Sequence, residues 1–455
     1  MYRYAINDLK KWSDSSTPKP LVIRGARQVG KSTLVRLFCE TNKLDLIEIN
    51  LEKNKLRELD NQTSFSINKV LAEIELVTKK KFSENSVLFL DEIQEQPLAF
   101  NRLRYFYEDK PGLKVITAGS LLDVIIDEAN FSMPVGRVEY YFLGPLTFRE
   151  FLMAKKEEIL LEQLNSLSHE SPGPQILHQQ AVELLKEYYF VGGMPEAVKT
   201  FIESNDMDLV RDVQNNLLQT YRDDIPKYTK SNQGSRVKEV FDYVPAHLGQ
   251  GKIKFNAISE TNSTIVKEAI STLDKAQVIM KVLHTNASGL PLSVGADQSV
   301  MKLYFLDIGL YNASTGVQWG ELIRTEEDEL LVKGAMAEQF VAQHLKYRNP
   351  KLKEDLHYWL RGGKKEAAEV DFIINVSGSV LPVEVKAGST GKMRSLWQFV
   401  AEKKSKKVLK FDLKYRDSYK SEVTQKVVTA QGVVEIKCDL YSLPLYVVER
   451  FGSFL

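Results

Sequence analysis

Gly25-Ala26-Arg27-Gln28-Val29-Gly30-Lys31-Ser32 decides how the first part of this chain is read. It fits the spacing G-x-x-x-x-G-K-[ST], with the apolar run Leu21 to Arg24 directly before it and an apolar helical pattern from about Ser32 directly after. The glycines permit a tight turn whose backbone N–H groups face phosphates, and the positive end of the following helix adds to the anion site. Lys31 is expected to reach the β and γ phosphates of ATP. Ser32 is expected to place its hydroxyl on Mg2+, with Gly25 through Thr33 cradling the rest of the nucleotide.

The second half of such a site is Val87-Leu88-Phe89-Leu90-Asp91-Glu92, an apolar strand pattern ending in two acids. Taken alone, that pattern reads equally well as a strand ending in a turn. Behind a phosphate loop, Asp91 is expected to hold Mg2+ through water, and Glu92 to orient and deprotonate the attacking water. Val115 to Ser120 is a further strand ending in polar residues, where Ser120 rather than Thr117 is expected to touch the γ phosphate or the water. Gly136-Arg137 precedes the strand pattern Tyr140 to Leu143. Arg137 is either a surface or ion-paired arginine or a donor of transition-state charge to a neighbouring subunit's ATP, which requires a homo-oligomer.

The chain has 455 residues, more than one hydrophobic core supports, and three domains are expected. With 43% hydrophobic and 27% charged residues, each can bury a core. Lys plus Arg at 61 and Asp plus Glu at 60 nearly cancel, so nucleic acid could be attracted only by local patches. Cys39 and Cys438 stand alone, which fits a reducing cytoplasm. MYRYAINDLKKW lacks the apolar core of a signal peptide, and no run approaches the ~20 apolar residues of a spanning helix. A cytoplasmic protein without a membrane partner is expected.

The expected division is 1–228 for an α/β core with a helical lid, 229–327 for a winged-helix-like segment, and 328–455 for a second α/β domain. In the first, short apolar runs alternate with helical patterns, as in a parallel α/β sheet. The middle segment offers helical patterns at Val237 to Leu248 and Thr264 to Lys275. Strand-like runs follow at Val278 to His284 and Met301 to Phe305, around a Gly-Leu-Pro turn. That is the outline of a winged helix or of a purely structural connector.

In the last segment, Glu369-Val-Asp371 enters an apolar strand. After a Ser-Gly-Ser turn comes Val380-Leu-Pro-Val-Glu384-Val-Lys386. Alternation puts Glu384 and Lys386 on one face, so Asp371, Glu384 and Lys386 can converge across a hairpin, either as cross-strand ion pairs or around a metal. A basic run follows, from Lys403 through Lys407 and Lys410 to Lys420, interleaved with Phe411, Tyr415 and Tyr419. It reads as a phosphate contact or as a solvated strand edge.

Taken together, IRGARQVGKS, FLDEIQ, TAGS, GRVEYYFLGPLTFREF and YFVGGMPEAV resemble the bacterial and archaeal AAA-type ATPases of unknown cellular role that carry a C-terminal restriction-endonuclease-like domain. The resemblance covers nearly the whole chain. It implies an AAA+-type sheet, Arg137 as the finger candidate, and Gly192-Gly193-Met194-Pro195 near the adenine. Asp371, Glu384 and Lys386 look like the PD-(D/E)xK nuclease set, with Glu338 resembling the additional acid of its first helix. In such a set the carboxylates hold Mg2+ or Mn2+, and the lysine stabilises or activates the water. The expected function is a Mg-ATP-hydrolysing ATPase coupled to a metal-dependent nuclease acting on DNA or RNA. Two alternatives stay open: a nucleotide-driven switch or scaffold that binds a partner protein through a catalytically silent nuclease-like domain, and a simple DNA-binding regulator.

Overall fold

The computed structural model describes residues 1–120, 122, 136–229, 234–248, 258, 263–324, 334–362, 368–386, 393–429 and 432–455. The chain divides into two compact units. One is Met1–Leu146 with Lys275–Gln277 and Asn349–Lys353; the other comprises Thr147–Asp274, Val278–Arg348 and Glu354–Leu455. The domain boundary expected at 327 lies outside the described residues.

The first unit is built on five parallel strands: β1 (Leu21–Arg24), β2 (Asp45–Asn50), β3 (Ser86–Asp91), β4 (Lys114–Gly119) and β5 (Glu139–Phe142). Their order is β2-β3-β4-β1-β5. Every residue of β3 is buried, which is why its sequence is a continuous apolar run and not an alternating one. The helix Lys31–Thr41 turns Leu34, Val35, Phe38 and Cys39 inward, at the spacing of one helical face. A second core of Val22, Ile47, Leu88, Leu90 and Val115 packs with Val70, Ile74 and Leu103 from the helices Ile67–Thr78 and Pro97–Asp109. All five strands point the same way, so the residues after β1, β3 and β4 share one edge of the sheet. In open α/β sheets that edge is where ligands bind.

The second unit carries an eight-stranded mixed sheet: β6 (Ile279–Thr285), β7 (Ala296–Phe305), β8 (Leu356–Leu360), β9 (Glu369–Val376), β10 (Ser379–Val385), β11 (Lys407–Asp412), β12 (Lys420–Thr429) and β13 (Gly432–Pro444). Its order is β12-β13-β11-β10-β9-β8-β6-β7. The hairpin read as a wing is therefore part of the C-terminal sheet, with β6 pairing β7 on one side and β8 on the other. The physical reason lies in β6: Ile279, Met280, Val282, Leu283 and Thr285 are buried, so both faces of the strand are covered. The helices expected before it are present at Gly234–Ala246 and Ser263–Lys275. The helical stretch from about Val182 to Arg222, expected as a lid on the first sheet, falls within this second unit.

Candidate nucleotide site and C-terminal acidic cluster

The phosphate loop is shaped by close packing. A Cβ on Gly25 would run into the carbonyl oxygen of Leu143, and Gly30, with φ 91°, has the left-handed backbone that glycine adopts without cost. Lys31 is buried, its Nζ donating to the carbonyls of Gly25 at 2.9 Å and Ala26 at 2.8 Å. Burial pushes its pKa down to about 8, against the opposing pull of Glu92 and Asp91. Arg3, which drew no notice in the sequence, is also buried and donates to Val29 O at 3.1 Å and Gly144 O at 2.8 Å. It ties the loop to the segment after β5 from a position 26 residues upstream of Val29. A lone arginine before the first helix carries no pattern that could have revealed this.

At the tip of β3, Asp91 Oδ2 accepts from Ser32 Oγ at 2.8 Å. Burial raises the Asp91 pKa, partly offset by the Ser32 hydrogen bond. That hydrogen bond brings the Ser32 hydroxyl and the Asp91 carboxylate side by side at the end of β3, the two hard oxygen donors from which Ser32 would bind Mg2+ directly and Asp91 through water. Glu92 has a left-handed backbone (φ 52°, ψ 49°), uncommon for a residue with a side chain, and its carboxylate accepts from Gln94 Nε2. Gln94 lies over Gly119 at the end of β4, where a Cβ would come within 2.5 Å of Gln94 Oε1. Gly119 thus leaves room for Gln94, a residue the sequence reading passed over although it stands two places after the acidic pair.

The two hydroxyls of β4 differ. Thr117 is fully buried and donates to Leu90 O at 2.8 Å, a bond between strands. Ser120 is buried as well, yet its Oγ and Gln94 Oε1 have no hydrogen-bond partner among the described residues. Buried polar atoms of that kind are usual where a ligand or water completes the site. Arg137 is half exposed and pairs with Glu108 at 2.8 Å.

Residues 17–152 match the family model of an AAA domain. That match takes in the phosphate loop and all five strands of the first sheet. Residues 182–321 and 333–438 match two further families, each described as a domain of unknown function. No curated protein is a significant match. Among solved structures, the Thermotoga maritima RuvB Holliday junction branch migration motor is 13% identical, covering 62% of this chain and 90% of its own, at a TM-score of 0.28. PCH-2 from C. elegans is 12% identical, covering 41% and 56%, at 0.25. Neither likeness is strong enough to carry an argument. Among the described residues no helix is long and apolar enough to cross a membrane.

In the second unit the acids singled out in the sequence do come together. Asp371 on β9 and Glu384 on β10 are buried, and Asp371 Oδ2 accepts from Val385 N at 2.8 Å. Glu384 pairs with Lys386, and its other oxygen is buried without a partner among the described residues; burial and the charge of Asp371 push its pKa up to about 8. Glu338, on the helix Gly334–Lys346, is raised to about 7 by burial and Asp371, with Lys302 and Tyr304 opposing. Gln339 fixes that helix, its amide both accepting from Phe305 N and donating to Phe305 O at 2.8 Å.

Three members of this cluster were not foreseen: Lys302, Tyr304 and Glu369. Lys302 and Tyr304 alternate onto the same side of β7, in the hairpin assigned by its sequence to a different domain, so pattern gave no reason to join them to Asp371. Among the described residues no three of His, Cys, Asp or Glu are arranged to hold a metal ion.

Two other motifs have structural partners. Gly193 N donates to Asp307 Oδ2 at 2.7 Å, and a Cβ on Gly192 would lie 2.8 Å from Gly309 N, which accounts for the glycine at 192; Pro195 then opens the helix Pro195–Ser204. In the basic run, Lys410 and Arg416 pair with Asp412, Lys420 pairs with Asp439, and Phe411 and Tyr419 are buried in the core. Those aromatics offer no face for stacking bases. Lys403, Lys404, Lys406 and Lys407 line a cavity of about 650 Å³.

Proposed function

We propose that the chain is a Mg-ATP-hydrolysing switch whose nucleotide state governs what the second unit binds. The observation that supports this most is the set at the ends of β1, β3 and β4: Lys31 inside the loop, the Ser32–Asp91 oxygen pair, and Glu92 held by Gln94. In this reading Lys31 leaves the Gly25 and Ala26 carbonyls for the β and γ phosphates. The backbone from Gly25 to Thr33 encloses them, and Ser32 and Asp91 hold Mg2+, which neutralises phosphate charge. Glu92 takes a proton from the attacking water, with Ser120 and Gln94 positioning that water. Catalysis of this kind is mainly positioning and charge neutralisation. Arg137 could serve a neighbouring subunit's ATP, since a surface ion pair such as its pair with Glu108 costs only about 0–1 kcal/mol to break. Pro195 as an adenine contact rests on the family resemblance alone.

The convergence of Glu338, Asp371, Glu384 and Lys386 favours a second reading, a PD-(D/E)xK-like site cutting DNA or RNA with Mg2+ or Mn2+. One comparison separates the two. Lys31→Ala abolishes ATP turnover in either reading, whereas Asp371→Ala and Glu384→Ala remove metal-dependent cleavage of single- and double-stranded substrates only if there is cleavage to remove. ATP turnover without cleavage by the intact protein supports the switch.

A further inference from the structure

The centre of the C-terminal cluster holds a lysine. Lys302 is completely shielded from solvent, and its Nζ contacts Glu369 and lies 3.4 Å from Glu338 Oε2 and 3.6 Å from Asp371 Oδ1. Tyr304, two residues on, donates to the same Glu338 oxygen at 2.6 Å. The ammonium also lies 5.4 Å from the ring of Tyr358 on β8. A buried ammonium persists only where charge and hydrogen bonds repay its desolvation, and here three carboxylates do so.

Lys302 engages both Glu338 and Asp371, the carboxylates that would have to face a divalent ion. Asp371 has its other oxygen on the Val385 amide. Glu384 is occupied separately by Lys386.

We propose that the Lys302 ammonium is the resident cation of this cluster, occupying the position between Glu338 and Asp371 that a divalent metal would need, so that the domain takes up no Mg2+ or Mn2+ there and acts by binding. An anchored +1 charge holds the acids together, as a metal would, but offers no open coordination position on which a water could be activated. Lys302 also ties β7 to β9 through side chains, a link the backbone lacks because β6 and β8 intervene. This inference stands on side-chain geometry within the second unit and is independent of the ATPase reading.

The test is Mn2+ binding to the full-length, nucleotide-free protein, followed by electron paramagnetic resonance. Asp371→Asn serves as the site control, because a site at the phosphate loop does not respond to it. The wild-type protein is expected to show no Asp371-dependent Mn2+ site at millimolar metal. Lys302→Met, which keeps the unbranched shape of the side chain but removes its terminal ammonium, is expected to gain one, at least tenfold tighter than any wild-type signal and lost again in combination with Asp371→Asn. If Lys302→Met alone does not fold, Lys302→Met with Glu369→Gln removes one of the unpaired acids and restores the measurement. An Asp371-dependent site in the wild-type protein overturns the proposal, as does a folded Lys302→Met protein that gains none. Should every Lys302 variant unfold, the wild-type measurement decides alone. Loss of ATP turnover at the other site would sink the ATPase reading while leaving this result intact.

Discussion

Raising the pH from 7 to 9 should weaken ATP binding about tenfold, through Lys31 alone. In the ligand-free protein this lysine is buried against the Gly25 and Ala26 carbonyls with its pKa lowered to about 8, chiefly by desolvation. The arriving phosphates carry negative charge, which favours the ammonium and raises the pKa in the complex. The sign follows from linkage: affinity is fully present below the free-state value and falls as pH rises through it, by tenfold per unit, until the higher value of the complex is reached. About nine-tenths of the free protein carries the Lys31 charge at pH 7 and about one-tenth at pH 9, so the predicted loss is about 1.4 kcal/mol. Titration calorimetry at pH 7, 8 and 9 reads the affinity directly, and repeating the pH 8 titration in buffers of different ionisation enthalpy should show uptake of about half a proton. Lys31→Arg supplies the control, since a guanidinium does not titrate in this range. A flat wild-type profile, or one with the same slope as Lys31→Arg, would refute the reasoning.

Gly25→Ala places a methyl group against the Leu143 carbonyl oxygen and should lower unfolding stability by about 1–3 kcal/mol, visible in the urea midpoint; an unchanged midpoint means the loop relaxes freely. Thr117→Val removes the hydroxyl bond to Leu90 O and should cost about 1 kcal/mol, whereas Ser120→Ala removes an unpartnered hydroxyl and should change stability by less than about 0.5 kcal/mol while slowing ATP turnover. Equal effects of the two on both stability and turnover would contradict their separate assignments. Gly192→Ala, at φ 73° and against Asp307 and Gly309, should destabilise the second unit by at least about 1 kcal/mol in chemical denaturation; ATP affinity lost without any loss of stability would instead speak for a nucleotide role of that turn.

The first unit was legible because its signals are local. A glycine spacing, the strand before it and the helix after it sit within about twenty residues, and the continuous apolar run of β3 announces a strand covered on both faces. The arrangement of the second unit was not legible, because what decides it is pairing between strands far apart in sequence. β6 and β8 pair through Leu283 and His357, and nothing in either stretch marks the other as its neighbour. The same distance hid Lys302. Local alternation brought Asp371, Glu384 and Lys386 together correctly, but a lysine on β7 could join them only once the hairpin was known to belong to that sheet. Arg3 and Gln94 were missed for a simpler reason: single polar residues show their use only through the atoms they touch.

The most direct test of the central claim compares ATP binding with ATP turnover in the intact protein, Lys31→Ala and Glu92→Gln. The account predicts Mg2+-dependent turnover by the intact protein, and loss of turnover in Lys31→Ala. Glu92→Gln should bind ATP as tightly as the intact protein but hydrolyse it roughly 10²–10⁴ times more slowly, the range expected for a missing general base. Full turnover by Glu92→Gln, or none by the intact protein, would contradict it.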